Sequence, residues 1–384
     1  MRIFYIAEIT GKVGVWAVKK HIAFIRRTYQ PDFIIANADK ATGAGGLGKQ
    51  HAGYLKKMGI DCLIGSDCIF QKKDLVEALP NLPFVLRPCN LSPYSPGRGY
   101  RYFFTRRGEK LAVMSLLGRV GQHRLLADNP FAVMQSALSE IQKETRVIVA
   151  DFSALATAEK QAMAFFLAGK VSALIGSGTG AATADAQLMA AGYTAPFLSM
   201  SEYASEGAAA SCQGSALHDV GARGNMPTVT SGTDMSGSDS TSTVSSAANP
   251  AVANPHAAGC RYFDTQLAGI RDESMQFSGM REKGGHALSG QTADAQAASH
   301  TQHSGIPSVR KTAYITDAGR TGSFDSVGGH APSSKIREYR TGLFEYPQET
   351  WQRVCIQGLD IELDGSGSAR SIERVRIELP QEKH

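Results

Sequence analysis

The stretch Val171–Asp185, VSALIGSGTGAATAD, decides the fold because it joins a buried apolar run to an abrupt glycine-rich loop. The run at 171–175 is typical of a strand that is buried on both faces, as in the sheet of an α/β protein. The loop SGTG at 177–180 offers hydroxyl groups but no general base and no metal-binding imidazole. α/β enzymes normally place their catalytic residues at such strand ends. The sequence therefore predicts the scaffold of an active site, with few catalytic or metal-binding side chains in this loop.

Strand and helix patterns alternate on the N-terminal side of this stretch. Helical spacing of apolar residues predicts a helix over Val13–Tyr29, and Asn129-Pro130 supplies an N-cap and first position for a helix that extends to Glu144. Tyr100–Arg106 and Lys110–Leu116 predict a hairpin around Arg107-Gly108. The alternation as a whole predicts a layered α/β sheet.

On the C-terminal side the amino-acid composition changes over residues 188–309, where Ser, Ala, Gly and Thr dominate. An example is SGTDMSGSDSTSTVSSAANPAVANP at 231–255. Such a segment has too few large apolar residues to offset the entropy of ordering. Regular patterns return afterwards, and 351–363 with 371–379 predict an antiparallel pair joined by the turn DGSGSA. We therefore predict a core formed by residues 1–187 and 310–384, interrupted by a largely flexible insertion at 188–309.

Composition excludes several classes of protein. The chain has 384 residues, 42% hydrophobic residues and a net charge of +5, with its lysines and arginines scattered. A nucleic-acid-binding protein usually concentrates its basic residues on one face, so nucleic acid is not predicted as the main partner. No apolar run has the length of a signal peptide core or a membrane span, which predicts a cytoplasmic protein without a membrane partner. The six dispersed cysteines read as free thiols.

Four carboxylates lie at the predicted C-terminal ends of strands: Glu8, Asp39, Asp67 and Asp151. Because these ends meet at one edge of a parallel sheet, the side chains could together bind a hard cation such as Mg²⁺ or Mn²⁺. The alternative is that they cap helices and turns, where aspartate is also favoured. Cys68 follows Asp67 and is a candidate nucleophile or acid, although a lone cysteine without a nearby base is more often inert.

Two other motifs favour structural interpretations. ATGAGGLGKQ at 41–50 has the glycine and lysine spacing of a phosphate-binding loop, but Gln50 stands where the Mg²⁺-binding Ser or Thr belongs. A tight glycine-rich connection is the alternative. His300 and His303 have the spacing of a metal pair but lack a helical context.

Taken together, the strand ends resemble the YmdB-like branch of the calcineurin-like metallophosphoesterases. The segments that carry the resemblance are MRIFYIAEITGKVG (1–14), DFIIANADKATGAGGLG (32–48), GSDCIFQKKD (65–74), LRPCN (86–90), LLGRVG (116–121), DNPF (128–131), DFSALATAEK (151–160), VSALIGSGTGAATAD (171–185), TAYITDAGRTGSFDSVGG (312–329) and GLDIELDGSGSARSIERVRI (358–377). Residues 188–309 have no counterpart in that pattern. The resemblance implies an α/β fold, a two-sheet αββα sandwich of the metallophosphoesterase type. It also implies a dinuclear metal phosphodiesterase that acts on cyclic nucleotides and related diesters.

Carried over residue by residue, the first three motifs of the family have changed in this chain. Glu8 stands where the family has an aspartate ligand. Asp39 and Lys40 stand where it has a metal-bridging glutamate and an asparagine. Asp67 and Cys68 replace an Asn-His pair, of which the asparagine binds metal and the histidine assists catalysis, so that Cys68 occupies the position of the family's general acid.

The remaining two motifs have lost their ligands. Ser153 stands where the family supplies a histidine after Asp-Phe, and Gly178 and Gly180 stand where it supplies two histidines separated by one residue. Three imidazoles are therefore missing, and Lys40 adds an ammonium group where metals should bind. Such changes should abolish a transition-metal pair.

Three functions follow from these comparisons. The favoured hypothesis is a YmdB-like homologue impaired in catalysis, without a bound metal cofactor, that retains a phosphate-binding, nucleotide-binding or assembly role. Lys40 and the glycine loops would hold the phosphate, and the resemblance further implies a homo-oligomer. The second hypothesis is an active phosphodiesterase with two divalent metals, Mn, Fe or Mg, on residual ligands Glu8, Asp39 and Asp67. In the third, the insertion 188–309 is an interaction arm.

Overall fold

The computed structural model describes residues 1–43, 45–122, 124–192, 309–346 and 348–380. Most of the predicted insertion, and with it the hypothesis of an interaction arm, lies outside the described residues. Its predicted N-terminal boundary at 187/188 falls inside a strand, Gln187–Ala190, which pairs with Lys311–Ile315. The boundary must therefore be corrected, because the folded core extends to Ala190.

In the described part of the chain, eight strands form the first sheet. They are β1 (Arg2–Ile6), β2 (Glu8–Ile9), β3 (Phe33–Asn37), β4 (Cys62–Ile64), β5 (Val85–Leu86), β12 (Arg320–Ser323), β13 (Val354–Leu363) and β14 (Ala369–Glu378). Their order is β2-β12-β13-β1-β3-β4-β5, with β14 paired to β13. Strands β1, β3, β4 and β5 are parallel, whereas β13 is antiparallel to both β1 and β14. The predicted C-terminal pair of strands is thereby confirmed.

Six strands of the described residues form the second sheet. They are β6 (Tyr100–Phe104), β7 (Lys110–Leu117), β8 (Ile148–Ser153), β9 (Ala173–Ser177), β10 (Gln187–Ala190) and β11 (Lys311–Ile315). Their order is β10-β11-β9-β8-β7-β6, in which the four inner strands are parallel and the two edge strands are antiparallel to their neighbours. The predicted hairpin is confirmed as β6 and β7.

Helices flank both sheets. They are α1 (Gly11–Tyr29), α2 (Lys49–Lys57), α3 (Lys73–Ala78), α4 (Pro130–Glu144), α5 (Thr157–Leu167) and α6 (Pro332–Thr341), with a short 3₁₀ turn at Leu79–Asn81. The N-terminus of α4 is capped as predicted, because the Asn129 side chain accepts a hydrogen bond of 2.9 Å from the Phe131 N–H.

Three apolar cores hold four layers together. The middle core lies between the sheets and joins Ile3 and Tyr5 of the first sheet to Val113 and Ile175 of the second. Alternate residues of β1, such as Phe4, face the other way and pack with α1 and α2 in the second core. The third core packs α4 and α5 against the outer face of the second sheet. This arrangement confirms the predicted two-sheet αββα sandwich, because period-2 alternation sends successive strand side chains to opposite faces.

Candidate functional site

The strand ends converge as the sequence predicts. Glu8 lies on β2, Lys40 follows β3, and the backbone of Gly11, at the start of α1, donates a hydrogen bond to the Lys40 carbonyl. A methyl group on Gly180, beyond β9, would lie 3.5 Å from Glu8 Oε1. Residues that are far apart in sequence therefore meet at one end of the sandwich.

An ion pair occupies the first part of this site. The Lys40 ammonium lies 3.1 Å from Glu8 Oε1 and 3.0 Å from Oε2, while the side chain of Glu8 is 4% exposed. Burial raises the pKa of Glu8, and the attraction of Lys40 opposes that rise. The pKa of Lys40 is raised in turn, chiefly by the Glu8 charge. Lys40 therefore compensates the charge that a metal ion would otherwise neutralise.

Asp39 is held by the loop that follows β4. Its two carboxyl oxygens accept hydrogen bonds from the backbone N–H groups of Ser66, at 2.6 Å, and Cys68, at 2.9 Å. These bonds favour the ionised form, but burial and the nearby Asp67 charge outweigh them and raise the pKa of Asp39 to about 8. Asp67 itself pairs with Arg124 at 3.4 Å.

Cys68 completes a compact cluster. One ligand atom each from Asp39, Asp67 and Cys68 lies within 4.8 Å of the other two. Burial raises the pKa of the Cys68 thiol, and the charges of Asp39 and Asp67 raise it further. Because the thiolate is both the nucleophile and the metal ligand, this environment does not activate Cys68 for either task.

Gly178, just after β9, is packed too tightly for a larger side chain. Gly178 has a φ of +105°, and a methyl group there would lie 2.9 Å from Ser153 Oγ and 3.2 Å from the Ala154 nitrogen. The Ser153 hydroxyl is buried and has no hydrogen-bond partner in the described structure. Neither Ser153 nor Gly178 supplies an imidazole, and at Gly178 the backbone itself would have to move to admit one.

Asp151 does not join the cluster that the sequence predicts as one alternative. It accepts hydrogen bonds from the Tyr5 hydroxyl and, at 2.8 Å, from Ser177 Oγ in the interior between the sheets. Burial raises the pKa of Asp151 to about 6, although both donors lower it. The four strand-end carboxylates thus divide: Glu8 binds Lys40, Asp151 binds two hydroxyls, and only Asp39 and Asp67 share a site.

Sequence reasoning missed a second buried ion pair beside the same loop. Lys160 of α5 lies 2.9 Å from Asp317, and each side chain is 1% exposed. Asp317 also accepts hydrogen bonds from the Thr179 N–H, at 3.1 Å, and hydroxyl, at 2.7 Å. Because Asp317 follows β11, its position at a strand end could have been predicted from the sequence. Lys160 stands in TAEKQ, which reads as an ordinary solvent-facing stretch of helix.

The loop that resembles a phosphate-binding motif has an internal anion in place of a ligand. Gly48 precedes α2, and its N–H donates to Thr42 Oγ1 at 2.8 Å. The next N–H, that of Lys49, donates to the Asp74 carboxylate at 2.9 Å. Since a phosphate would need these first N–H groups of the helix, the loop serves as a structural connection.

The described residues do not fit a pair of transition-metal ions. Glu8 is already bound to an ammonium group, and both oxygens of Asp39 accept backbone N–H groups. The described part of the chain contains one cluster of three ligand atoms, which lacks histidine. A two-metal centre requires more donors than this arrangement offers.

Comparisons with known proteins agree with the fold. A model of the YmdB-like protein family matches residues 4–226 and 289–375. The ends of the stretch 188–309 therefore do have a counterpart in the family, contrary to the prediction from sequence. The 2′,3′-cyclic-nucleotide 2′-phosphodiesterase of Bacillus subtilis (strain 168) is 32% identical over 192 residues, which cover 50% of this chain and 72% of that relative.

Two solved structures share the architecture over nearly the whole chain. A hypothetical protein from Thermus thermophilus has a TM-score of 0.62 at 19% identity and covers 99% of this chain and 100% of its own. A novel phosphatase from Mycoplasma pneumoniae has a TM-score of 0.64 at 18% identity and covers 98% and 93%. Among the described residues, no helix is both long and apolar enough to cross a membrane.

Proposed function

The chain belongs to the YmdB-like protein family, and from this premise we propose that it is a member that has lost two-metal hydrolysis and binds a phosphate-bearing ligand. The observation that carries the proposal is the Lys40 ammonium within 3.1 Å of both Glu8 oxygens. A divalent cation that bound Glu8 would have to push the Lys40 ammonium away from the carboxylate. The ammonium would still lie close to the bound metal ion. Repulsion between the two charges in a poorly solvated site opposes that exchange.

The ligand class comes from the chemistry of the relative. The protein from Bacillus subtilis is a cyclic-nucleotide phosphodiesterase, which supports a nucleotide phosphodiester as the ligand of the shared fold. Loss of metal ligands removes the attacking hydroxide but leaves the walls of the sandwich intact. We therefore propose binding of a nucleotide or a related phosphate ester without turnover.

Metal analysis of the full-length protein tests the proposal. The purified chain and the Bacillus subtilis phosphodiesterase would be incubated with Mn²⁺, desalted and analysed by mass spectrometry, and both would be assayed on a 2′,3′-cyclic nucleotide. For this protein we expect well under one metal ion per chain and no hydrolysis. For the Bacillus subtilis phosphodiesterase we expect both bound metal and hydrolysis. Two bound ions per chain, or hydrolysis that depends on added metal, would overturn it.

A second function is favoured by one observation, the proximity of Asp39, Asp67 and Cys68 within 4.8 Å. An oxygen-rich site there would hold Mg²⁺ or Mn²⁺ and support phosphodiester hydrolysis. If that function is correct, turnover with added metal should disappear in Asp67→Ala and survive in Asp74→Ala, whose carboxylate contacts Lys49 instead. Absence of turnover with every divalent ion would remove this candidate.

A further inference from the structure

A cavity of about 560 Å³ opens beside Gly180. Its walls come from the loop after β9, from β12 and from the β13–β14 hairpin. The lining residues include Gly180, Ala181, Ala182, Arg320, Arg374 and Arg376. Its volume is within the range of pockets that hold small molecules.

The cavity carries an excess of positive charge. Three of the described residues that line it are arginines, and none of these described lining residues is acidic. Arg374 donates to the Thr183 carbonyl at 3.0 Å and has no carboxylate partner in the described structure. Among the three, Arg376 pairs with a carboxylate, that of Glu378. At least two guanidinium charges therefore remain uncompensated at the cavity.

Two of the arginines are held in place before any ligand arrives. Arg320 donates to the carbonyls of Gly180, at 2.8 Å, and Phe324, at 2.9 Å, and also to Ser326. These bonds to neutral groups fix the guanidinium and leave its charge intact. Arg376 stacks over the Phe324 ring, 4.0 Å from the ring centre. A site that is ordered in advance loses less entropy when it binds a ligand.

We propose that this cavity, and not the Lys40 region, binds the phosphate of a nucleotide-sized ligand. The assignment rests on the proposed function and gives its ligand a location. Guanidinium groups match phosphate oxygens with paired hydrogen bonds, and Arg374 and Arg376 offer N–H groups there. Lys40 is a weaker candidate because the Glu8 carboxylate that compensates its charge is 4% exposed, whereas the Glu378 carboxylate beside Arg376 is 58% exposed and is screened by water. The small side chains of Ala181 and Ala182 leave room for the remainder of the ligand.

Titration calorimetry on the full-length protein at low ionic strength tests the assignment, with adenosine 5′-monophosphate as the probe and adenosine as the uncharged control. We expect binding of the monophosphate but not of adenosine. The double variant Arg374→Gln/Arg376→Gln should weaken binding at least about tenfold, as expected for the loss of charge-assisted hydrogen bonds. Arg370→Gln is the matched control, since Arg370 is exposed on the same strand but does not line the cavity. Its affinity should stay within about twofold of the parent, because a rim charge away from the site contributes little.

The results distinguish a failure of the cavity assignment from a failure of the proposed function. If Lys40→Gln abolishes binding while Arg374→Gln/Arg376→Gln retains it, the protein binds phosphate but the cavity assignment is wrong. If the parent binds neither the monophosphate, nor pyrophosphate, nor a 2′,3′-cyclic nucleotide, the proposed function fails as well. Equal weakening by Arg370→Gln would reveal a diffuse charge effect and would also overturn the assignment. Unfolding midpoints of all variants confirm that each one is folded.

Discussion

Replacement of Lys160 by methionine should be strongly destabilising because it leaves a buried carboxylate without its cation. Lys160 Nζ lies 2.9 Å from Asp317 Oδ2, and both side chains are 1% exposed. Methionine fills much of the aliphatic volume, so the change is mainly one of charge. Asp317 would keep hydrogen bonds from Thr179 and Gly319 but lose its ammonium partner. Breaking a buried pair in this way costs about 3–5 kcal/mol, or roughly two to four powers of ten in the folding equilibrium.

Urea denaturation followed by circular dichroism measures this loss. Lys143→Met is the matched control, because Lys143 is also a helical lysine in an ion pair, with Glu140, but both of those side chains are more than half exposed. Its cost should be at most about 1 kcal/mol. The double variant Lys160→Met/Asp317→Asn should recover part of the loss, since no unpaired charge remains. If Lys160→Met lowers the free energy of unfolding no more than Lys143→Met does, burial does not strengthen the Lys160–Asp317 pair and the reasoning is refuted.

Two further predictions concern the ends of β3 and β9. The folded-state pKa of Asp39 is about 8 against an ordinary 3.8, so the proton stabilises the folded state at low pH and this contribution is lost as pH rises towards 8. The contribution of Asp39 to the free energy of unfolding should therefore fall by about 1.4 kcal/mol per pH unit across that interval, in addition to the contribution of Asp151, whose pKa is raised to about 6. Asp39→Asn should reduce the slope by that amount in urea titrations, and an unchanged slope would contradict it. Gly178→Ala should cost about 1–3 kcal/mol because of its backbone conformation and the contact with Ser153 Oγ. Gly43→Ala, also at positive φ but with nothing within 4 Å, should cost less, and equal unfolding midpoints would contradict the steric explanation.

Sequence reasoning succeeded where local pattern and topology agree. Alternating strands and helices, together with the family resemblance, predicted the two-sheet sandwich, and parallel strands necessarily brought Glu8, Asp39 and Asp67 to one end. It did not predict that β11 pairs with both β9 and β10 across the long stretch between 190 and 311. Periodicity describes the face of a strand, whereas the choice of neighbour depends on packing over the whole chain.

The ion-pair partners of the buried charged residues could not be predicted from the sequence for a related reason. Lys160 occupies a helix position that is typical of an exposed lysine, and only the arrival of Asp317 from β11 makes its burial tolerable. Lys40 was recognised as a cation in the wrong place for metal binding, but its compensation by Glu8 required the geometry. These two charge pairs join residues that are far apart in sequence, and such pairs leave no periodic signal.

Together, these internal pairs offset much of the negative charge that the described strand ends bring together. A cluster of carboxylates at one end of a sandwich normally needs cations from outside, because like charges in a poorly solvated site repel one another. Here Lys40 compensates Glu8, Lys160 compensates Asp317 and Arg124 pairs with Asp67, while burial raises the pKa of Asp39. Among the described residues that line the arginine cavity, Arg320 and Arg374 have no carboxylate partner, so the cavity carries positive charge. If the proposed function is correct, the cavity should attract the anionic part of a phosphodiester more readily than the carboxylates at the strand ends attract metal ions.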